Sequence, residues 1–342
     1  MINKRRGRAG RELPAAATVD ETPFAGLSPE LVLDAAATVG LDCDGRLLAL
    51  NSYENRVYQL HCGAATWVLK FYRPQRWSDA QIGEEHEFTA ELAAAELPVA
   101  APLAVAGCTL HRFGSFRFAA FPWMRGRPPE LDQPETLALL GRALGRMHRI
   151  GAVRPFQARP RLTVQRLGHE ARAAVLASGQ VPAGLEKRYA QASATLLERV
   201  DALFAEVGTL RALRIHGDCH LGNLLWNEHG PVFVDLDDCM SGPAVQDLWM
   251  LLSGSPMEQQ RQWEELLGGY QQFAEFDFRE LRLVEPLRGL RMLHHAAWVA
   301  QRWHDPAFPR AFPWFGETRN WESYVTDLFD QALTIENQPL LQ

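Results

Sequence analysis

The sequence predicts an α+β fold in two lobes, a small antiparallel β lobe with one helix followed by a larger, mainly helical lobe. Three observations predict it. Runs rich in β-branched and aromatic residues crowd into residues 45–121, where only 78–97 carries helical spacing. The segment Phe121-Pro122-Trp123-Met124-Arg125-Gly126 then breaks the strand pattern. Beyond residue 132 apolar residues recur mainly at helical spacing, interrupted by a polar hairpin within 215–238. The expected division is a disordered basic tail at 1–23, a β-rich lobe at 24–123 and a helical lobe at 124–342.

Composition narrows the class. A chain of 342 residues can bury one large or two modest cores. Its net charge of -6 argues against a general nucleic-acid binder, which needs a broad basic surface. No apolar run approaches the roughly 20 residues that cross a bilayer. Lys4, Arg5, Arg6, Arg8 and Arg11 precede no apolar signal core, so neither export nor membrane insertion is expected. Five cysteines, Cys43, Cys62, Cys108, Cys219 and Cys239, show no metal-ligand spacing and fit a reducing cytoplasm. A monomer is expected.

In chain order, Ser28 and Pro29 read as an N-cap and first helical residue, with the helix running to Gly40. Residues 45–50 and 56–60 read as strands separated by Asn51-Ser52-Tyr53-Glu54-Asn55. That loop could fold over a nucleotide or be an ordinary hairpin turn. The run at 66–72 is a strong strand whose only charge is Lys70, on the face of Val68 and Tyr72. Lys70 either faces solvent or reaches a phosphate.

Over 78–97, Ile82, Phe88, Leu92 and Ala95 form a helical stripe. At about 100° per residue Glu85 lies nearest that stripe, while Glu84 and Glu87 point further away. A carboxylate facing a core needs a partner, so Glu85 is the candidate partner of Lys70. Residues 108–112 and 116–121 read as a hairpin turning at Gly114-Ser115. Asp132 with Glu135 suggests a capping box for the next helix, whose face carries Leu137, Leu140, Leu144, Met147 and a packing residue, His148. Residues 155–167 read as a basic loop. Helices are expected at 185–207, 256–276, 278–303 and 321–333, with 305–309 a rigid loop.

The hairpin carries most of the chemistry. Strand-like 224–226 and 231–234 flank Asn227-Glu228-His229-Gly230. Pairing about His229 would set Trp226 across from Val232 and Asn223 across from Asp235, with Asp218 on the preceding loop. An amide oxygen and a carboxylate suit magnesium, which takes oxygen ligands and phosphate oxygens. Asp218 could then accept a proton from an attacking hydroxyl, and Lys70 could clamp a phosphate. Strand alternation would direct Asp237 to the face of Asp235, towards a second ion or a water, and Asp238 away. A second reading joins His216, Asp218, His220 and Asp235 into a metallohydrolase site. It leaves Lys70, Glu85 and Asn223 without a role. A third makes the chain an idle nucleotide-binding scaffold.

HGDCHLGN at 216–223 and VDLDD at 234–238 resemble the catalytic and metal loops of the aminoglycoside phosphotransferase and choline kinase branch of the protein-kinase-like fold. LNSYENRVYQL at 50–60, VLKFYRPQRW at 68–77 and GPAVQDLWMLL at 242–252 more closely resemble bacterial serine/threonine protein kinases of the stress-response type. The resemblance implies ATP and Mg2+ as cofactors and a protein serine or threonine as acceptor, the kinase itself included. It makes Asp218 the catalytic base and Asn223 and Asp235 the magnesium ligands. Lys70 would hold ATP phosphates, oriented by Glu85, with Ser52 on the nucleotide-covering loop, Phe121 to Met124 the adenine hinge and Asp247 a buried support. Two features depart from ordinary protein kinases: no Gly-x-Gly-x-x-Gly covers the phosphates, and Asp235-Leu236-Asp237 replaces Asp-Phe-Gly. Small-molecule acceptors therefore remain the alternative.

Overall fold

The structure, a computed structural model, describes residues 23–337, and the tail expectation falls largely outside them. Helix α1 (Pro29–Thr38) starts where the sequence predicts, with Ser28 Oγ accepting from Leu31 N. Strands β1 (Leu47–Leu50), β2 (Arg56–Cys62) and β3 (Ala65–Phe71) follow, then α2 (Asp79–Ala94), β4 (His111–Phe113) and β5 (Phe116–Pro122). The five strands form one antiparallel sheet in the order β1-β2-β3-β5-β4. A capping box between Ser78 and Gln81 opens α2.

Alternation sorts the sheet into two faces. Leu60, Leu69, Phe71, Phe118 and Ala120 pack on Val32, Ala35 and Ala36 of α1. Each fully buried large side chain there contributes about 1.5–3 kcal/mol. The opposite face carries Lys70 and its register partner Ala119, beside Tyr72 and Ile82 of α2. Covered by α2, Lys70 is only 6% exposed, which removes the solvent-facing alternative.

The remaining chain contributes α3 (Pro134–Gly151), a π-helical turn (Gln165–Glu170) running into α4 (Ala171–Ala177), and α5 (Glu186–Val207). Short strands β6 (Leu213–Ile215), β7 (Leu224–Asn227), β8 (Gly230–Phe233) and β9 (Met240–Gly242) precede α6 (Val245–Leu248) and α7 (Pro256–Tyr270). The chain closes with α8 (Val284–Gln301), α9 (Ala307–Ala311) and α10 (Thr318–Glu336). Helix α3 packs on α7 at backbone distance: a Cβ on Gly141 would sit 2.0 Å from the Leu266 carbonyl oxygen. Strands β6 and β9 pair, as do β7 and β8, so two small ribbons are set into the helical core.

Several expectations need correction. Asp132 and Glu135 form no capping box, because Pro134 opens α3 and makes Gln133 the N-cap, one residue too late for Asp132. Residues 305–309 are not a plain loop, since α9 begins at Ala307 with Asp305 Oδ1 accepting from Ala307 N at 3.0 Å. Its proline, Pro309, falls in the first turn, where a missing N–H costs nothing. The expected helix at 278–303 begins as a 3-10 segment, Phe278–Leu283, before α8. Cys43 and Cys62 form a disulfide, against the all-thiol expectation. The β1–β2 ribbon extends to Asp44 N and His61 O, 3.0 Å apart, and so brings the two cysteines together.

Candidate active site

Loop 216–223 leaves β6 and is fixed from below by one carboxylate. Asp247, fully buried, accepts from His216 N at 2.7 Å and from Gly217 N at 2.8 Å. His148 holds the same carboxylate at 3.0 Å through Nε2 and reaches the Tyr270 hydroxyl at 3.0 Å through Nδ1, so it is a satisfied buried residue. Gly217 adopts φ 84°, and a Cβ there would lie 2.3 Å from the Asp238 carbonyl oxygen. Only glycine allows that crossing.

Asp218 follows. Its carboxylate meets Arg291 Nη1 of α8 at 2.5 Å and His220 Nε2 at 3.3 Å. Burial pushes its proton affinity up, but His220 and Arg291 outweigh burial and hold the carboxyl well below the usual range. The Asn223 amide donates to the Asp218 carbonyl oxygen at 2.9 Å, which leaves Asn223 Oδ1 as a free oxygen donor.

The β7–β8 hairpin pairs one step away from the predicted register. Leu224 lies opposite Phe233, Trp226 opposite Pro231 and Asn227 opposite Gly230. The turn is the two residues Glu228 and His229, closed by Asn227 Oδ1 accepting from His229 N at 2.8 Å, rather than a turn centred on His229. Val234 N therefore donates to Asn223 O at 3.1 Å, and Asp235 is the next residue rather than the direct partner of Asn223. Asp235 takes a left-handed conformation, φ 56°, and the chain turns into the single 3-10 turn Leu236–Asp238.

That bend aims Asp235 at the sheet. Lys70 Nζ lies 3.0 Å from Asp235, 3.0 Å from Asp237 and 3.5 Å from Glu85. Burial alone would strip the Lys70 proton, but the three carboxylates reverse it and hold the ammonium charged far above its ordinary range. Burial pushes Glu85 up to about 7 against the pull of Lys70. Asp237 is not directed to a second ion or water: its carboxylate is taken by Lys70, Arg76 and Asn55. Burial opposes its ionisation, and Arg76 and Lys70 override burial and hold it well below the usual carboxylate range. Asp238 turns away and pairs with Arg76 at 2.7 Å.

Ser52 sits half-buried on the β1–β2 loop. Phe121, across from Val68 in register, shares the Lys70 face. Met124 follows β5 in a recess of about 430 Å3 that it shares with Trp123, Arg125 and Trp226. Residues to which sequence reading assigns no individual role complete the cluster. Glu54 is held by Arg73 at 3.1 Å, Arg302 at 2.7 Å and Trp298 Nε1. Arg159 donates through Nε to Cys239 O at 2.8 Å and lies 4.0 Å from Glu85. Arginines in loop-like segments read as solvated, and Arg291 sits on a helix with no motif, so only tertiary packing exposes their roles.

The metallohydrolase grouping does not assemble. His216 spends Nε2 on the Val234 carbonyl oxygen at 3.0 Å, and Asp235 pairs with Lys70. Among the described residues no three His, Cys, Asp or Glu side chains converge to hold a metal. Asn223 Oδ1 and the half-exposed Asp235 carboxylate instead offer an oxygen-only pair that suits a hydrated hard cation.

A family model described as the phosphotransferase enzyme family matches residues 46–284. Stress response kinase A of Escherichia coli (strain K12) is 43% identical over 318 residues, 93% of this chain and 96% of the relative. Serine/threonine protein kinase RdoA of Salmonella typhimurium (strain LT2) matches at the same identity and coverage. Amicoumacin kinase hAmiN, solved with AMP-PNP, Ca2+ and Ami, shares the fold at TM-score 0.70 and 18% identity, over 91% of this chain and 94% of its own. Choline kinase LicA from Streptococcus pneumoniae shares it at TM-score 0.62 and 10% identity, over 88% of this chain and 98% of its own. An antiparallel sheet that lowers a buried lysine onto an Asp-Leu-Asp turn, beside a loop aspartate clamped from beneath, agrees with all of these likenesses, and the chain belongs to the phosphotransferase enzyme family as a kinase of the stress response kinase A group.

Proposed function

We propose that the chain transfers the γ-phosphoryl group of ATP, with magnesium, to a serine or threonine hydroxyl of a protein. Residues 24–123 and 124–342 act as two lobes around the cleft. The observation that carries the reading is Lys70, delivered by the sheet to within 3.0 Å of Asp235 on the helical side. Magnesium, held by Asn223 and Asp235, would neutralise phosphate charge. Lys70 holds phosphate oxygens, Glu85 keeps its ammonium aimed, and Ser52, Phe121 and Met124 lie where the nucleotide is covered and its base received.

The acceptor oxygen forms a bond to the γ-phosphorus as the bond to the bridging oxygen of the β-phosphate breaks and ADP leaves. The hydroxyl proton passes to Asp218. A strongly ionised aspartate is a weak base, and that suffices, because phosphoryl transfer draws mainly on positioning and charge neutralisation. The protein acceptor rests on likeness to relatives named as stress response and serine/threonine kinases.

The test incubates the protein with radiolabelled ATP, a cell extract and a panel of aminoglycosides, choline and sugars. Labelled phosphoserine or phosphothreonine supports the reading. Label on a small molecule with none in protein replaces it with a small-molecule kinase, and no turnover at all replaces it with an idle scaffold.

A further inference from the structure

Beside Asp218 a chamber of about 610 Å3 opens between the catalytic loop, α8, the segment after α9 and α10. Its walls are aromatic, with Trp249, Trp314, Phe315, Trp321 and Tyr324 among them. Its cations are Arg288 and Arg291, three residues apart on α8 and so neighbours on one helix face. Each makes a single ion pair among the described residues: Arg288 through Nε with Glu285 at 3.0 Å, Arg291 through Nη1 with Asp218 at 2.5 Å. The other guanidinium nitrogens keep donors for a ligand. Asp327, the chamber's carboxylate on α10, is exposed and pairs with neither arginine among the described contacts.

We propose that this chamber recognises the acceptor and that Arg288 and Arg291 select a serine or threonine flanked by an acidic side chain. The inference rests on the phosphotransfer reading above and adds the acceptor's chemistry to it. A hydroxyl that reaches Asp218 must pass Arg291, so the groups next to it meet a guanidinium. Arg288 already lies 4.9 Å over the Trp249 ring, which occupies an aromatic face that a cationic acceptor would need. A cationic neighbour is thus repelled where an anionic one gains a charge-assisted, two-point bond. The apolar walls strengthen that bond by excluding water and accept a bulky residue further along the segment. Arg291 also changes partner during binding. Its bond to Asp218 holds the loop before the acceptor arrives, and the acidic side chain of the acceptor draws the guanidinium away, freeing the aspartate oxygen for the hydroxyl.

The test compares initial rates of transfer from radiolabelled ATP to three serine peptides of equal length. They carry aspartate, asparagine or lysine on both sides of the acceptor, with free L-serine as a zwitterionic small probe and a hydroxyl-bearing sugar phosphate as an anionic one. The aspartate peptide is expected to exceed its asparagine twin in kcat/KM by about tenfold or more, with the lysine peptide lowest. Arg288→Met should raise KM for the aspartate peptide and bring the ratio towards one. Arg288→Glu should invert the order in favour of lysine, a gain that a misfolded variant cannot show. Equal rates for the aspartate and asparagine peptides in the wild type, or an unchanged ratio in both variants, overturn the proposal while leaving phosphotransfer to protein intact. A sugar phosphate labelled in preference to every peptide overturns the peptide acceptor. No label on any acceptor overturns this proposal and the reading beneath it together.

Discussion

Loop 216–223 and loop 51–55 flank the same cleft but are fixed by different means. The first is held through its own backbone: His216 N and Gly217 N donate to Asp247, and Gln246 Nε2 donates to the Gly217 carbonyl oxygen at 3.0 Å. The second is held by side-chain charge from elsewhere, with Glu54 on Arg302 and Trp298 of the α8 end and Asn55 on Asp237. Backbone anchoring within one region keeps loop 216–223 in place whatever the sheet does. The part of the second hold supplied by Arg302, Trp298 and Asp237 exists only while sheet and helices are together, whereas Arg73 supplies the rest from the sheet side.

The sharpest way to break the comparison is chemical. Asp218→Asn leaves the first loop anchored and should cut transfer by about 10²- to 10⁴-fold, with ATP affinity largely kept. Steady-state rates and nucleotide titration check it, and full activity would remove Asp218 from its role. Asp247→Ala attacks the anchor instead. Two buried N–H groups and His148 lose their acceptor, and stability should fall by about 3–5 kcal/mol in urea unfolding. Glu54→Gln removes only the side-chain anchor, and a loss of about 1 kcal/mol or less, with a raised KM for ATP, is expected. If Glu54→Gln matches Asp247→Ala, the two loops are anchored alike.

A further effect, confined to acid, concerns the sheet side. Burial, with Lys70 nearby, pushes His86 down to about 3 while Tyr72 and Thr109 hydrogen-bond its ring. The neutral ring binds fewer protons than the unfolded chain, so its stability is complete above about 6.5 and is lost as pH falls towards 3. Glu85, pushed up to about 7, has the opposite slope between its unfolded value and 7. His86→Gln keeps hydrogen bonding without titrating. Between pH 6.5 and 5 the wild type should lose about 1–2 kcal/mol more than this variant in denaturant titrations.

Much of the fold was legible because its signals are local. Ser28-Pro29, the alternation through Lys70 and the turn at Gly114-Ser115 each name an element from a few neighbours. The pairing of Lys70 with Glu85 was legible too, since helical angle alone separates Glu85 from Glu84 and Glu87. What stayed hidden depends on contacts far apart in the chain. A one-residue register step moved Asp235 off Asn223, and Arg73, Arg76 and Arg159, ordinary surface residues by composition, fold into the charge cluster. The arginine beside Asp218 comes 73 residues later on a helix that packing alone brings back.

The left-handed bend at Asp235 bears on how this position can drift. A non-glycine residue there costs about 1–2 kcal/mol, more than the roughly 0.5–1 kcal/mol of chain entropy that glycine would forfeit. Backbone strain alone therefore favours Asp235→Gly, a gain set against the loss of a charge partner for buried Lys70. The same exchange deletes the carboxylate that faces Lys70. Under the proposed role of Asp235, ease of the backbone and turnover pull in opposite directions at this one site.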